Sequence, residues 1–156
     1  MMIAALFSTT GIAILSWLLL ILLPKWRFTQ FLANTAVFPI YLALLYTIGI
    51  ITVIVEAGFG FVNDFGSAEG VIRLLSNPEF ALLVWIHILC FDQAVGHYVY
   101  RDNMAHRYVA LPIQSILLFS ILMFGPLGFL CYLAIRAFSK NSREKHAGTE
   151  RTTAKS

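Results

Sequence analysis

Two ionisable side chains, His87 and Asp92, lie five residues apart in a stretch of sequence that is otherwise almost entirely apolar. A histidine and a carboxylate in an apolar pocket can serve as a general acid and a general base. Their spacing places them about 140° apart around an ideal helix and roughly 7.5 Å apart along it, so the two side chains do not meet unaided. They can act together only on a molecule that is held between this helix and its neighbours.

A second group of residues is expected to shape a pocket around this pair. In the last apolar stretch, a proline inside a helix would free the carbonyl of Leu122 and open space beside His87. Small residues would let the helices approach closely. The residues assigned to the pocket are Trp85, Gly96, Gln114, Gly125, Pro126 and Gly128.

A purely structural role for the pair is the main alternative. If the last two apolar stretches are antiparallel helices joined by their short connection, Asp92 lies at the depth of three polar side chains of the last helix. Hydrogen bonds between Asp92 and these side chains would then hold the two helices together. These side chains are Gln114, Ser115 and Ser120. His87 would then cap the carbonyl that the proline frees.

Metal or haem ligation is disfavoured by the positions of the ligand-type residues. His87 and His97 are ten residues apart on one helix and point in different directions, and the sequence has no CxxC pair. His97 lies near the helix end, where an interfacial or structural role is expected. Cys90 and Cys131 fall in apolar stretches and are predicted to be packed thiols. We therefore expect no cofactor and no metal.

The elements that position these residues follow from the composition. The chain has 156 residues, of which 59% are hydrophobic and 12% charged, whereas a soluble domain is about 45–50% apolar and about 25% charged. Four apolar stretches exceed the roughly 18 residues typical of a membrane span: 2–23, 28–55, 80–100 and 108–135. Continuous apolar runs of this length favour helices over barrel strands. The prediction is an all-α integral membrane protein with four transmembrane helices in an antiparallel bundle.

The polar segments complete the predicted organisation. Residues 58–78 form the long connection between spans 2 and 3, and their second half is amphipathic, which favours a short interfacial helix or an ordered loop. Residues 139–156 are polar and basic and are predicted to be a disordered tail after a 1–138 transmembrane domain. The first span has no positive n-region and is followed by Pro24 and Lys25, so we expect a retained helix rather than a signal peptide.

The charges predict an orientation and a partner. With four crossings, Arg73, Arg136 and the five cations of the tail share one side of the membrane, and the other four cations share the opposite side. The excess favours both termini inside. The tail is expected to contact anionic headgroups and not nucleic acid, and the oligomeric state stays open.

The second half of the chain carries an ordered set of motifs. In order they are Trp85-x-His87-x4-Asp92, a short polar loop with Arg101-Asp102 and His106, and Gly125-Pro126-x-Gly128. With this set, the chain resembles the abscisic-acid-deficient-four-like membrane protein family, whose plant members are associated with neoxanthin synthesis. The resemblance extends over residues 3–138 in the number of spans and the lengths of the loops.

The resemblance implies a carotenoid-handling protein, with cofactor-independent isomerisation of a xanthophyll epoxide, of the violaxanthin-to-neoxanthin type, as its specific activity. In that reaction an epoxide opens while a polyene proton is lost, which requires an acid and a base. Carried onto this sequence, the catalytic residues are His87 and Asp92, with Asp102 and His106 as second candidates at the mouth of the pocket. Which residue is the acid stays open. A xanthophyll places its oxygenated rings at the membrane surfaces, whereas His87 and Asp92 are predicted near mid-depth.

Two further expectations accompany the resemblance. The sequence starts at the first span without the Arg- and Ser-rich transit peptide of plant members. We therefore expect either a mature form or, in preference, a bacterial (cyanobacterial) homologue in an inner or thylakoid membrane. The alternative function is a non-catalytic membrane protein that binds a carotenoid or lipid, or that assists a larger assembly. A transporter is disfavoured because a conducting path needs a chain of polar groups.

Overall fold

The computed structural model describes the backbone of residues 2–153 and the side chains of residues 2–142. Every regular element in this part of the chain is a helix, and the predicted all-α class is confirmed. The α-helices are α1 (Met2–Ser8), α2 (Ile12–Leu22), α3 (Arg27–Thr35), α4 (Val37–Ala57), α5 (Ala68–Ser76), α6 (Pro78–His106) and α7 (Leu111–Thr153). Short 3₁₀ turns at Thr9–Gly11 and Gly60–Gly66 complete the regular structure.

Four helical segments are long and apolar enough to cross a membrane, as predicted. They are Met2–Leu22, Val37–Ala57, Pro78–His106 and Leu111–Ser142. Between 17% and 33% of the most apolar window in each is buried inside the protein, so most of the apolar surface of each span is available to lipid. The chain is therefore a multi-pass membrane protein.

The ends of these helices follow from local sequence. Helix α2 ends two residues before Pro24, which cannot continue a helix. A left-handed residue, Ala36 with φ of 50°, separates α3 from α4, so the predicted second span is two helices. Ser67 caps α5 by accepting a hydrogen bond of 3.0 Å from the amide of Gly70. The predicted short helix between spans 2 and 3 is confirmed as α5.

Helix α7 is broken near its middle and folds back on itself. Phe124 and Gly125 have non-helical backbone angles, and Pro126 begins the second arm, where a proline suits the first turn of a helix and disfavours helical geometry before it. In a straight helix, residues 111 and 139 would be roughly 40 Å apart. Instead the Ser139 hydroxyl donates to the carbonyl of Tyr108 at 3.2 Å. The two arms, residues 111–123 and 126–142, therefore form a helical hairpin.

The described residues divide into two compact units, each with its own core. The first comprises residues up to 16 and residues 35–94, and the second comprises residues 17–34 and the chain from residue 95 onward. The buried core of the first unit contains Ala13, Leu42, Leu45 and Ile86. The core of the second is larger and contains Trp17, Leu20, Tyr100, Leu118, Ile121 and Tyr132. The α7 hairpin thus belongs to the core of the second unit.

The division into a 1–138 domain and a 139–156 tail stays a prediction. The side chains of residues 143–156 lie outside the described residues. The structure places the backbone of residues 139–142 in the second arm of α7. The predicted disorder of the tail is not tested here.

Gly128→Ala is expected to destabilise the hairpin. A β-carbon at Gly128 would lie 2.5 Å from the backbone nitrogen of Ile121 and 2.7 Å from the carbonyl carbon of Ser120, both on the facing arm. Because backbone cannot move aside as a side chain can, we expect a loss of about 1–3 kcal/mol in the free energy of unfolding. Unfolding of the purified protein in detergent measures this loss.

Gly11→Ala is the matched control for this substitution. Nothing lies within 4 Å of a β-carbon at Gly11, so this change should alter stability by no more than about 0.5 kcal/mol. Equal stability of the two variants would contradict the close crossing of the two arms.

Candidate functional site

His87 lies in an aromatic contact on the first unit. Its ring centroid is 5.0 Å from that of Tyr46 and 4.7 Å from that of Phe91, and the side chain is exposed. No hydrogen bond joins it to a described residue, so the expected cap on the carbonyl of Leu122 is wrong. Trp85 is 52% exposed and lies on the outer surface of this unit. A catalytic role for His87 stays a prediction.

Asp92 is half-buried and has no hydrogen-bond or ion-pair partner among the described residues. The side chains predicted to bind it make other bonds. Gln114 accepts from Asn103 at 2.7 Å, Ser115 donates to the carbonyl of Ile21 at 2.7 Å, and Ser120 donates to the carbonyl of Ile116 at 2.9 Å. None of these three side chains is a hydrogen-bond partner of Asp92 in the described residues.

Gln93, the residue after Asp92, makes polar contacts between helices of the kind that the sequence predicted for Asp92. Gln93 is fully buried. Its amide nitrogen donates to the carbonyl of Ala13 at 2.9 Å, and its amide oxygen accepts from Ser16 at 3.2 Å. These bonds connect α6 to α2 within the first unit. Ionisable groups in the spans do not point to Gln93, because its side chain is neutral.

The second unit contains a more highly organised carboxylate site near the end of α6. The Asp102 side chain is 9% exposed and accepts from the Tyr132 hydroxyl at 2.6 Å. It also pairs with the Arg136 Nε at 2.9 Å and with the His106 Nδ1 at 3.2 Å. We call Asp102, His106, Tyr132 and Arg136 the Asp102 cluster. The sequence named Asp102 and His106 as second candidates, and the structure brings these two together.

Tyr132 and Arg136 come from the second arm of α7, and sequence reasoning missed both. Tyr132 is fully buried, whereas the Arg136 side chain is 37% exposed. The sequence signal for Arg136 is its position as a cation at the end of an apolar stretch. In the sequence, that cation was used only to predict the orientation in the membrane. The proximity of Tyr132 and Arg136 to Asp102 in space depends on the α7 hairpin, which no local sequence pattern predicts.

Aromatic rings surround the outer part of the Asp102 cluster. Arg136 donates to the Tyr98 hydroxyl at 3.1 Å and lies 5.7 Å from the centroid of the Tyr108 ring. The His106 ring stacks on Tyr108 with centroids 5.2 Å apart and planes 17° apart. Nδ1 of His106 lies 3.0 Å from the main-chain carbonyl of Asp102 and 3.2 Å from Oδ1 of its carboxylate, so Nε2 is the ring nitrogen directed away from Asp102. The imidazole is thus oriented by the carbonyl and the carboxylate of one residue, and an oriented imidazole suits proton transfer.

Beside this cluster, Asn103 connects α6 to α7 through both of its side-chain polar atoms. Its amide nitrogen donates to Gln114 at 2.7 Å and to the carbonyl of Val109 at 3.1 Å, and its oxygen accepts from the Val109 amide at 2.9 Å. Gln114 is fully buried, and its amide nitrogen has no partner among the described residues. Gln114 is thus a buried polar residue as expected, but its partner is Asn103.

The remaining predicted pocket residues allow close helix packing or interrupt helix α7. A β-carbon at Gly96 would lie 2.5 Å from the indole of Trp17, so Gly96 allows this ring to contact the backbone of α6. Gly125 and Pro126 form the break in α7, and Gly128 allows its arms to cross. His97 is 1% exposed, which fits the expected structural role. Among residues 2–142, no three His, Cys, Asp or Glu side chains are grouped as metal ligands.

Asp102→Asn is expected to destabilise the protein, and Asp92→Asn is not. Asp102 accepts charge-assisted bonds, and hydrogen bonds to charged groups contribute about 1.5–3 kcal/mol each. The Asp92 carboxylate has no such partner among the described residues. Denaturant unfolding in detergent compares the two variants. A larger loss in Asp92→Asn than in Asp102→Asn would show that the Asp102 cluster does not stabilise the hairpin.

Comparisons with known proteins agree with the motifs of the second half of the chain. A family model described as ABA DEFICIENT 4-like matches residues 5–132, a range that begins in α1 and ends at Tyr132 of the Asp102 cluster. Comparisons with curated proteins and with solved structures found no match. Since the family model covers most of the described spans, including the first arm of α7 and the break, the chain belongs to the ABA DEFICIENT 4-like family.

Proposed function

We propose that this protein handles a carotenoid within the membrane and that its specific activity is isomerisation of a xanthophyll epoxide. Membership of the ABA DEFICIENT 4-like family suggests a carotenoid-related role. Four apolar helical segments provide a lipid-facing surface suited to a long apolar ligand. The observation that carries the proposal is a shielded carboxylate, Asp102, paired with an exposed imidazole, His106, at the end of α6.

The position of the Asp102 cluster suits the substrate better than that of His87 and Asp92. A xanthophyll is apolar along its polyene and polar at its rings, so its oxygen atoms lie near the membrane surface. Asp102 and His106 lie in the last two turns of α6, where the helix ends and a short connection begins. An epoxide ring at this depth can meet an imidazole without its polyene leaving the hydrocarbon.

The reaction requires proton movement and no net change of oxidation state. The bond between carbon and the epoxide oxygen breaks, a polyene carbon loses a proton, and the oxygen gains a proton, so that the product is an isomer of the substrate. We assign the proton acceptor to Nε2 of His106. Asp102 acts as a positioning residue, because it pairs with Nδ1 and can stabilise the imidazolium once the proton has moved.

Tyr132 and Arg136 support this arrangement from α7. Their bonds to one oxygen of Asp102, Oδ2, leave the other oxygen, Oδ1, to His106. This division orients the carboxylate before substrate binds, as preorganised sites require. Loss of either residue should therefore affect His106 indirectly.

Pigment analysis in a host that makes violaxanthin tests the proposal. The wild type should form a new isomer, and His106→Gln should lose about 100-fold or more in conversion, as expected for loss of a general base. Asp102→Asn should lower conversion by a smaller factor, because the imidazole keeps its general-base nitrogen but loses the carboxylate beside Nδ1. His87→Gln and Asp92→Asn are the matched controls for the pair that the sequence predicted first.

The outcomes separate the two candidate functions. Conversion that depends on His87 and Asp92 but not on His106 would contradict our assignment of the site. A carotenoid that co-purifies unchanged with the wild type, with no new pigment in the host, would indicate the alternative, a binding or assembly protein. The amount of bound pigment in each variant distinguishes loss of chemistry from loss of binding.

A further inference from the structure

The first arm of the α7 hairpin is too short to cross a bilayer. Residues 111–123 precede the break at Phe124 and Gly125 and span about 20 Å at 1.5 Å per residue, whereas the hydrocarbon core is about 30 Å thick. An arm of this length enters the membrane and turns inside it. The break needs no lipid-exposed loop, because Pro126 starts the second arm immediately.

Contacts place both ends of the hairpin at the same level of the second unit. Near the start of the first arm, Gln114 bonds Asn103 of α6. Toward the end of the second arm, Arg136 bonds Tyr98 and Asp102 of the same helix, and Ser139 bonds the carbonyl of Tyr108. The chain therefore leaves the hairpin beside the connection 107–110 from which it entered.

This geometry changes the distribution of charge across the membrane. Three continuous helical segments precede α7, so the connections that follow the first and the third of them share one side. If α7 returns to that side, six of the seven cations among residues 2–142 gather there. The other side keeps Arg73 together with four carboxylates: Glu56, Asp64, Glu69 and Glu79. Such asymmetry agrees with the positive-inside rule far better than four crossings do.

A cavity lies on the basic side. Its volume is about 710 Å³, and its lining includes two cations, Lys25 and Arg107, and two amide side chains, Gln30 and Asn103. Arg107 has a left-handed backbone with φ of 52°, and its amide donates to the carbonyl of Asn103 at 2.7 Å. The cavity thus combines an ammonium and a guanidinium with apolar lining residues such as Met104 and Leu111.

We propose that α7 is a re-entrant hairpin and that the basic face where both its ends emerge binds anionic phospholipid headgroups, with one headgroup in the Lys25 and Arg107 cavity. A phosphodiester accepts charge-assisted hydrogen bonds from both cations, and its acyl chains remain beside the apolar lining residues. The opposite, acidic face repels the same headgroups. The protein is thereby oriented with this face toward the cytoplasmic leaflet, where anionic lipids attract basic segments.

Cysteine labelling in sealed vesicles tests the topology. In a background with Cys90→Ala and Cys131→Ala, single reporters replace the exposed residues Asn63, Ala105 and Ser142. A membrane-impermeant maleimide should label the Ser142 and Ala105 reporters from the same side and the Asn63 reporter from the opposite side. Labelling of the Ser142 reporter together with the Asn63 reporter would overturn the re-entrant hairpin. Monodisperse behaviour in detergent confirms that each variant is folded.

Lipid titration tests the cavity. Phosphatidylglycerol added to detergent micelles should raise the thermal midpoint of the wild type, and phosphatidylcholine should not. In the Lys25→Gln, Arg107→Gln variant the required fraction of phosphatidylglycerol should rise by roughly 100-fold or more, because direct charge-assisted hydrogen bonds to the phosphodiester are lost. The Arg27→Gln, Arg101→Gln variant removes the same charge from the same face outside the cavity, and its response should weaken clearly less because only attraction to the surface is lost.

Two results would overturn the headgroup site. One is an equal loss of response in the two double variants, which indicates diffuse attraction to the face without occupancy of the cavity. The other is an equal gain in midpoint from soluble glycerol phosphate, which indicates an anion site that does not need a lipid. Neither result bears on pigment conversion, so the topology and lipid site can fail while the proposed function stands.

Discussion

Hydrocarbon offers no water to replace a missing hydrogen bond, and this constraint governs where the chain can depart from a continuous helix. Side-chain hydrogen bonds support two such departures, the connection before α7 and the end of α2. Asn103 binds both backbone groups of Val109 in the connection before α7. The Tyr100 hydroxyl donates to the carbonyl of Pro24 beyond the end of α2. Ser115 donates to the carbonyl of Ile21 near the same helix end. Polar side chains of α6 and α7 thus satisfy the backbone where helices end.

The same constraint explains why the carboxylate site lies where it does. A buried carboxylate is stabilised only when charged or hydrogen-bonding partners surround it. Asp102 has Tyr132, Arg136 and His106 as partners, and two of them are available only because α7 returns after its break. The hairpin and the Asp102 cluster therefore depend on each other. In the proposed function, the ion pair between Asp102 and Arg136 therefore has two effects: it stabilises the fold, and it fixes the carboxylate that lies beside His106.

Much of the architecture could be predicted from the sequence, since it depends on segment length and composition. The four apolar segments, the short helix α5 and the interruption of α7 next to Pro126 follow from rules that act over a few neighbouring residues. The site could be predicted only in part. Asp102 and His106 are one helical turn apart, so their proximity is local, whereas Tyr132 and Arg136 reach them through a fold-back. Asp92 stands out in the sequence because it is one charge among apolar residues, and that pattern does not reveal which partners it has.

The amino-acid sequence by itself determined that this protein is helical, that it lies in a membrane and that a proline interrupts its last apolar segment. These properties depend on local hydropathy and backbone geometry. Only the tertiary structure decided that the interruption is a reversal of direction and not a modest kink. It also decided that Gln93 and Asn103 are the buried polar anchors of α6, and that Asp102 has a guanidinium and a phenol as partners. The reason is that side-chain contacts between distant residues depend on the direction of each helix after a break, and no local pattern encodes that direction.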